Sequence, residues 1–256
     1  MQHYGLIGYP LGHSFSQRFF SEKFAREGIA DAQYDLFPLP QIGLLPQLLQ
    51  AHPDLVGLNV TIPHKETVVG YLHDLDETAR AVGAVNTIRI RNGRLTGFNT
   101  DTVGFRLSLL SWLAERGLAV ADVRRALVLG TGGAAKAVGF VLEKLAIDFV
   151  CVSRSPKRQT PSRAVVSYDD LQGFSPDDFT LIVNATPAGT HPDADVCPPV
   201  PFAALDARHL VYDLVYNPAE TLLLRRAKNQ GAAVKNGLEM LQLQAEAAWE
   251  IWQKQA

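Results

Sequence analysis

Lys65 closes the stretch NVTIPHK, just past a run that reads as a buried strand. Lysines of a folded chain mostly occupy solvated faces, so this placement asks for a reason. An ammonium aimed from a rigid element can donate a proton or hold a developing negative charge. Four more polar clusters follow or interrupt apolar structure: GHSFSQ (12–17), AVNTI (84–88), FNTDTVGF (98–105) and GLEMLQLQ (237–244). In the last of these, Gln244 stands beside an apolar helical stripe, where an inward amide needs a partner. Taken one at a time, each residue has an ordinary use. Lys65 can be a solvated side chain, Ser14 or Ser16 a helix cap, and Asp101 the N-cap of a helix over 102–116.

A second kind of chemistry is written in VLGTGGAAKA. Gly130, Gly132 and Gly133 lie between a strand and a helix, where glycine lets backbone approach a pyrophosphate and the helix N-terminus offers free N–H groups. Tight turns of this kind also need glycine for steric reasons alone, so both uses stay open for the motif by itself. The next strand sharpens it. FVCVSRSPKR ends in Ser153, Arg154 and Ser155, followed by Lys157 and Arg158, with no carboxylate at the tip. Hydroxyls and a planar guanidinium suit a ribose 2′-phosphate, which a carboxylate would repel. The expected cofactor is therefore NADP rather than NAD.

These residues need elements to hold them. Strands are expected at YGLIG (4–8), YDLF (34–37) and LVGLNVT (55–61), with a helix carrying Phe19, Phe20 and Phe24 and another at IGLLPQLLQA, whose start Pro46 disturbs. Alternation around Asn92-Gly93 predicts a hairpin. FRLSLLSWLAERG reads as an amphipathic helix stopped by Gly117. Beyond it, an apolar strand leading into the glycine turn and further strands at DFVCVSRS, LIVNAT and HLVYDLVY are separated by helical stretches, which implies a parallel sheet covered on both faces. GLEMLQLQAEAAWEIWQ is a last helix with one buried face. The fold class is α/β in two domains, cut near 101–103.

At 256 residues, 47% hydrophobic and 20% charged, the chain can bury a sizeable core. A net charge of −2 gives no electrostatic case for nucleic acid or an anionic membrane, and no apolar run suggests a membrane helix or signal peptide. Cys151 and Cys197 have no metal spacing and fit a reducing cytoplasm.

Together, YGLIGYPLGHSFSQ, NVTIPHKE, AVGAVNTI, NTD, LGTGGAAKAV, SRS, NATPAG, YDLVYNP and NGLEMLQLQ resemble the shikimate dehydrogenase family, in order and over nearly the whole chain. The resemblance implies a substrate domain over 1–101 completed by 237–256, and a Rossmann-type, doubly wound NADP domain over 102–236. It implies NADPH-dependent reduction of 3-dehydroshikimate, with Lys65 and Asp101 as the catalytic pair. Ser14 and Ser16 match residues holding the substrate carboxylate, with Tyr216 near that end, and Thr61, Asn86 and Gln244 match residues bonding the ring hydroxyls. Gly130, Gly132, Gly133, Ala134, Ser153, Arg154, Ser155 and Arg158 match cofactor positions. Asn184 and Thr186 match a strand end along the cofactor, and Leu214 and Gly237 match positions beside the nicotinamide.

Three departures stand out: Gln17 replaces a usual proline, Thr131 a usual alanine, and Leu214 a frequent methionine. His13 is expected to be structural and His64 to face solvent; the other five histidines show no ligand spacing, so no metal is expected. Alternatives are a shikimate/quinate dehydrogenase of broader substrate or NAD use, a non-catalytic sensor, and a folate-linked dehydrogenase. The partner is a small molecule, and the state a monomer or homodimer.

Overall fold

In the computed structural model, residues 1–12, 15–156, 164–173 and 178–254 are described. The chain divides into two units, Met1–Val103 with Gln244–Ala256, and Gly104–Leu243. Both crossings fall inside helices.

The first unit is built on strands β1 (Gln2–Gly8), β2 (Ala32–Pro38), β3 (Leu55–Val60), β4 (Asp74–Leu75), β5 (Thr87–Arg91) and β6 (Arg94–Phe98). Their order is β2-β1-β3-β5-β6-β4. β1 runs parallel to β2 and β3, while β5 is antiparallel to both β3 and β6. The predicted hairpin joins β5 to β6, with Asn92 at φ 49° and Gly93 at φ 73°, the two left-handed positions of a type I′ turn. Side-chain alternation sorts the sheet into two faces. Ile7, Leu58, Val60 and Ile88 pack on one side with Leu45 of helix α2 (Leu45–Ala51). Tyr4 and Leu6 pack on the other, against Phe20 and Phe24 of α1 (Phe15–Glu27) and against Ala245, Ala248 and Trp252. Phe20 stacks on Tyr34 at 4.6 Å, and the Trp252 indole N–H donates to the Ile88 carbonyl at 2.9 Å. Those last three residues belong to helix α7 (Leu238–Gln253), so the end of the chain completes this core. Buried Lys23 bonds Glu27 and Glu246, both at 2.7 Å, tying α1 to α7.

The second unit carries β7 (Arg125–Leu129), β8 (Asp148–Val152), β9 (Val165–Val166), β10 (Leu181–Asn184), β11 (Leu210–Asp213) and β12 (Ala233–Lys235) in the order β12-β11-β10-β7-β8-β9, all parallel. Leu127 and Leu129 enter one core and Val128 the other, which is why these strands read as apolar throughout. Helices α5 (Gly133–Lys144) and α6 (Leu222–Asn229) follow β7 and β11. The strand order reverses beside β7, and crevices at such a switch point are the usual ligand site of open α/β sheets.

Several elements were not expected. Helix α3 (Glu77–Val82) is capped by the Asp76 carboxylate, which accepts from the Ala79 N–H, and β4, β9 and β12 are two or three residues long. Helix α4 (Asp101–Glu115) starts earlier than its apolar periodicity suggests. The Asn99 carboxamide oxygen accepts from the Thr102 N–H, so Asn99 takes the capping part expected of Asp101, which is the first helical residue. Among the described residues, no helix is long and apolar enough to cross a membrane.

Candidate active site

Lys65 does not sit at a strand end. β3 stops at Val60, and the chain turns through a cis Ile62–Pro63 bond before reaching it. Four hydrogen bonds pin this turn. The His64 N–H donates to Thr61 O at 2.9 Å, the Val68 N–H to His64 O at 2.9 Å, and the Val85 N–H to Lys65 O at 2.7 Å. The fourth involves the His64 ring, whose Nε2 lies 2.6 Å from the Leu39 carbonyl. His64 is thus buried, against the expectation that it faces solvent, because its ring satisfies a carbonyl where water cannot reach. Rigidity comes from a cross-braced turn rather than from a strand.

Lys65 Nζ donates to Asp101 Oδ2 at 2.6 Å. The side chains are 17% and 7% exposed, so the pair is largely buried, with Lys65 the more exposed member. The other carboxylate oxygen, Oδ1, accepts from the Asn86 amide at 2.9 Å. That same nitrogen reaches Thr100 Oγ1 at 2.9 Å and Gln244 Oε1 at 3.2 Å, while Asn86 Oδ1 accepts from the Thr100 N–H at 2.7 Å. Asn86 is therefore a hub that orients Asp101, and Gln244 finds its required partner there. A buried pair held this way is a poor stabiliser for its cost in desolvation but an oriented acid–carboxylate couple.

The hub extends to residues the sequence did not single out. Asn59 Nδ2 lies 3.4 Å from Thr87 Oγ1, and Thr87 Oγ1 donates to Asn86 Oδ1 at 3.1 Å. The Tyr34 hydroxyl donates to Asn59 Oδ1 at 2.7 Å. Burial pushes the Tyr34 phenol well above its ordinary range, against a hydrogen bond from Ser16, so it stays protonated as a donor. Ser16 therefore joins the network through Tyr34; it lies inside α1 and is not a cap. Thr61 follows β3 with its N–H on the Ile7 carbonyl at 2.9 Å. Ser14 lies outside the described residues, as do His13 and Arg158.

In the second unit the glycine turn closes β7. Gly130 has φ 110°, and a side chain there would press on Thr186 Cγ2 at 3.1 Å and the Ala185 carbonyl at 3.3 Å. Gly132 caps α5 with open space around it, and Gly133 and Ala134 form its first turn. The N–H groups of that turn have no partner within the helix and can face an anion. Ser153, Arg154 and Ser155 lie at the tip of β8, with Arg154 and Ser155 exposed and the Ser155 N–H bonded to Ser153 Oγ at 3.2 Å. A pyrophosphate at the turn and a 2′-phosphate at Arg154 both fit these residues.

Asn184 and Thr186 differ in what they can offer. Asn184 is completely buried; its Nδ2 donates to Asp213 Oδ1 at 2.9 Å, and its Oδ1 accepts from the Thr186 hydroxyl at 2.7 Å and N–H at 3.0 Å. Its amide ties the strand end to Asp213 and to the turn, and Thr186, half-buried, is the more exposed of the two. Asp213 anchors this corner, accepting also from Thr221 Oγ1 at 2.6 Å and the Val215 N–H at 3.0 Å. Burial pushes its carboxyl up to about 6. Leu214 follows it directly, and Gly237 packs so close that an added Cβ would lie 2.0 Å from the Leu214 carbonyl oxygen. Tyr216, half-buried, belongs to this unit.

Among the described residues, metal-ligating side chains come together at His3, His52 and Asp54.

Residues 6–88 match the family model of the shikimate dehydrogenase substrate binding domain. The NADP(+)-dependent shikimate dehydrogenase of Symbiobacterium thermophilum is 42% identical over 97% of this chain and 87% of its own. That of Methanocaldococcus jannaschii is 36% identical over 97% and 90%. Two solved structures align along the whole chain. Shikimate dehydrogenase 1 of Peptoclostridium difficile does so with a TM-score of 0.84 and 32% identity, over 99% of this chain and 92% of that one. The Thermus thermophilus enzyme, solved with NADP(H) and shikimate, gives 0.83 and 31%, over 99% and 94%. The motifs, the two sheets and these relatives agree, and the chain belongs to the shikimate dehydrogenase family.

Proposed function

We propose that this protein is an NADP-dependent shikimate dehydrogenase, reversibly reducing 3-dehydroshikimate to shikimate in chorismate biosynthesis. One observation carries the catalytic reading: the Lys65 ammonium, 2.6 Å from Asp101 in a largely buried pair oriented by Asn86.

The α5 N-terminus with Gly130, Gly132 and Gly133 would hold the pyrophosphate, and Arg154 with Ser153 and Ser155 the 2′-phosphate. Leu214 and Gly237 would flank the nicotinamide. When bound, this cofactor supplies the hydride. Reduction leaves negative charge on the substrate's carbonyl oxygen, which Lys65 Nζ stabilises and then protonates. Asp101 Oδ2 holds the ammonium in place through that hydrogen bond; solvent returns the proton afterwards. In the oxidative direction the same amine accepts the hydroxyl proton. Ser14 and Ser16 would take the substrate carboxylate, with Tyr216 toward that end, and Thr61, Asn86 and Gln244 the ring hydroxyls.

Free cysteines at Cys151 and Cys197 suit a cytoplasmic enzyme. The test is loss of NADPH absorbance dependent on 3-dehydroshikimate, run beside NADH, with quinate oxidation as the counter-assay. Turnover with 3-dehydroshikimate and NADPH well above the other combinations supports the assignment. No turnover by folded protein would overturn it.

A further inference from the structure

We propose that His3, His52 and Asp54 bind a divalent transition-metal ion, with Asp35 holding His3 in register from behind. The topology assembles the group. His3 is the second residue of β1, Gln33 and Asp35 lie alongside on β2, and the His52-Pro53-Asp54 turn leads into β3, whose first residue, Leu55, pairs with His3. The His52 backbone closes α2 by donating to Leu48 O at 3.0 Å, and its carbonyl accepts from the Leu55 N–H at 3.2 Å, so the turn is held at both ends.

One donor atom from each of His3, His52 and Asp54 lies within 4.8 Å of the others. His3 Nδ1 and Asp54 Oδ2 are 3.3 Å apart. Bonds of about 2.0 Å in a tetrahedron place neighbouring donors about 3.3 Å apart, so one edge of a zinc site is already drawn. The His52 ring, 5.5 Å from the His3 ring between centroids and nearly perpendicular to it, closes the remaining gap by side-chain rotation. On the far side of the imidazole, His3 Nε2 lies 2.8 Å from Asp35 Oδ2, an oxygen that also accepts from the Gln33 amide. A carboxylate taking the distal N–H of a histidine fixes the tautomer that presents Nδ1 as a lone pair, the arrangement found behind metal-bound imidazoles. His3 is 5% exposed, whereas Asp54 is half-exposed and leaves an entry path with a fourth position for water. Two imidazoles and one carboxylate suit zinc-class ions over calcium or magnesium.

The cluster stands at the starting ends of β1 and β3, and Lys65 lies beyond the far end of β3. A strand of six residues separates them by about 20 Å. The ion would therefore clip the starting ends of β1 and β3 together rather than join the reaction.

Tag-free protein stripped with EDTA should bind one equivalent of zinc in calorimetric titration, and its melting temperature should rise with zinc and fall back with EDTA. His52→Ala and Asp54→Asn should each weaken zinc binding at least tenfold while melting normally in EDTA, which separates lost ligation from lost folding. Asp35→Asn should weaken it about 10- to 100-fold. No saturable binding by the unaltered chain would overturn the proposal and leave His3 as an imidazole clamped by two carboxylates. Equal binding by the His52 and Asp54 variants would overturn it too, by putting the ion elsewhere.

Discussion

Asp101 divides its carboxylate between two donors: Oδ2 faces the Lys65 ammonium at 2.6 Å, and Oδ1 faces the Asn86 amide at 2.9 Å. One oxygen serves the charge and the other serves the aim. Asp101→Asn keeps the shape but removes the charge that holds the ammonium. We expect kcat to fall about 100-fold or more, with NADPH affinity unchanged. Steady-state rates and a fluorescence titration with NADPH check this.

Arg154 stands exposed at the tip of β8, free to meet a phosphate. A charge-assisted contact of this kind is worth about 1.5–3 kcal/mol. Arg154→Ala should raise the NADPH dissociation constant about 10- to 100-fold and leave that for NADH within twofold. Unchanged NADPH affinity would remove Arg154 from the cofactor site.

Gly237 touches the Leu214 backbone so closely that alanine cannot fit without a main-chain shift: the added Cβ would lie 2.0 Å from the Leu214 oxygen and 2.6 Å from its carbonyl carbon. Overpacking of this kind costs about 1–3 kcal/mol. Gly237→Ala should lower stability by that amount in urea denaturation and weaken NADPH binding, because Leu214 is displaced. A variant of normal stability would show that the corner yields.

Asp213 gives a signature in pH. Burial holds its carboxyl near 6, above the ordinary 3.8. Between those values the native protein keeps a proton that the unfolded chain releases. The Asp213 contribution to stability is therefore present at low pH and lost as pH rises through that window. Asp213→Asn has no such loss, so from pH 4 to pH 7 the variant should gain on the wild type by about 2 kcal/mol. Parallel stability curves would contradict the burial argument.

Much of this was legible in the residues. The strands around Leu58 and Leu127, the hairpin at Asn92-Gly93 and the inward Gln244 follow from periodicity and turn chemistry, which are local. What escaped was made by topology. Asn59 reads as a strand residue, and only the pairing of β3 with β5 puts it beside Thr87 and the Asn86 hub. His64 looked solvated because its partner, the Leu39 carbonyl, comes from another part of the chain. The partner of the Asn184 amide, Asp213, likewise comes from another strand. His3 and His52 are too far apart in sequence for any ligand motif, and parallel strands bring them together.

The sharpest test is turnover by Lys65→Met at saturating 3-dehydroshikimate and NADPH, with the dissociation constants of both ligands measured alongside. A lysine that stabilises and protonates the forming alkoxide predicts a kcat about 1,000-fold lower, with both ligands bound nearly as before. A kcat within a few-fold of the unaltered protein would contradict the account and leave the ion pair a structural tie.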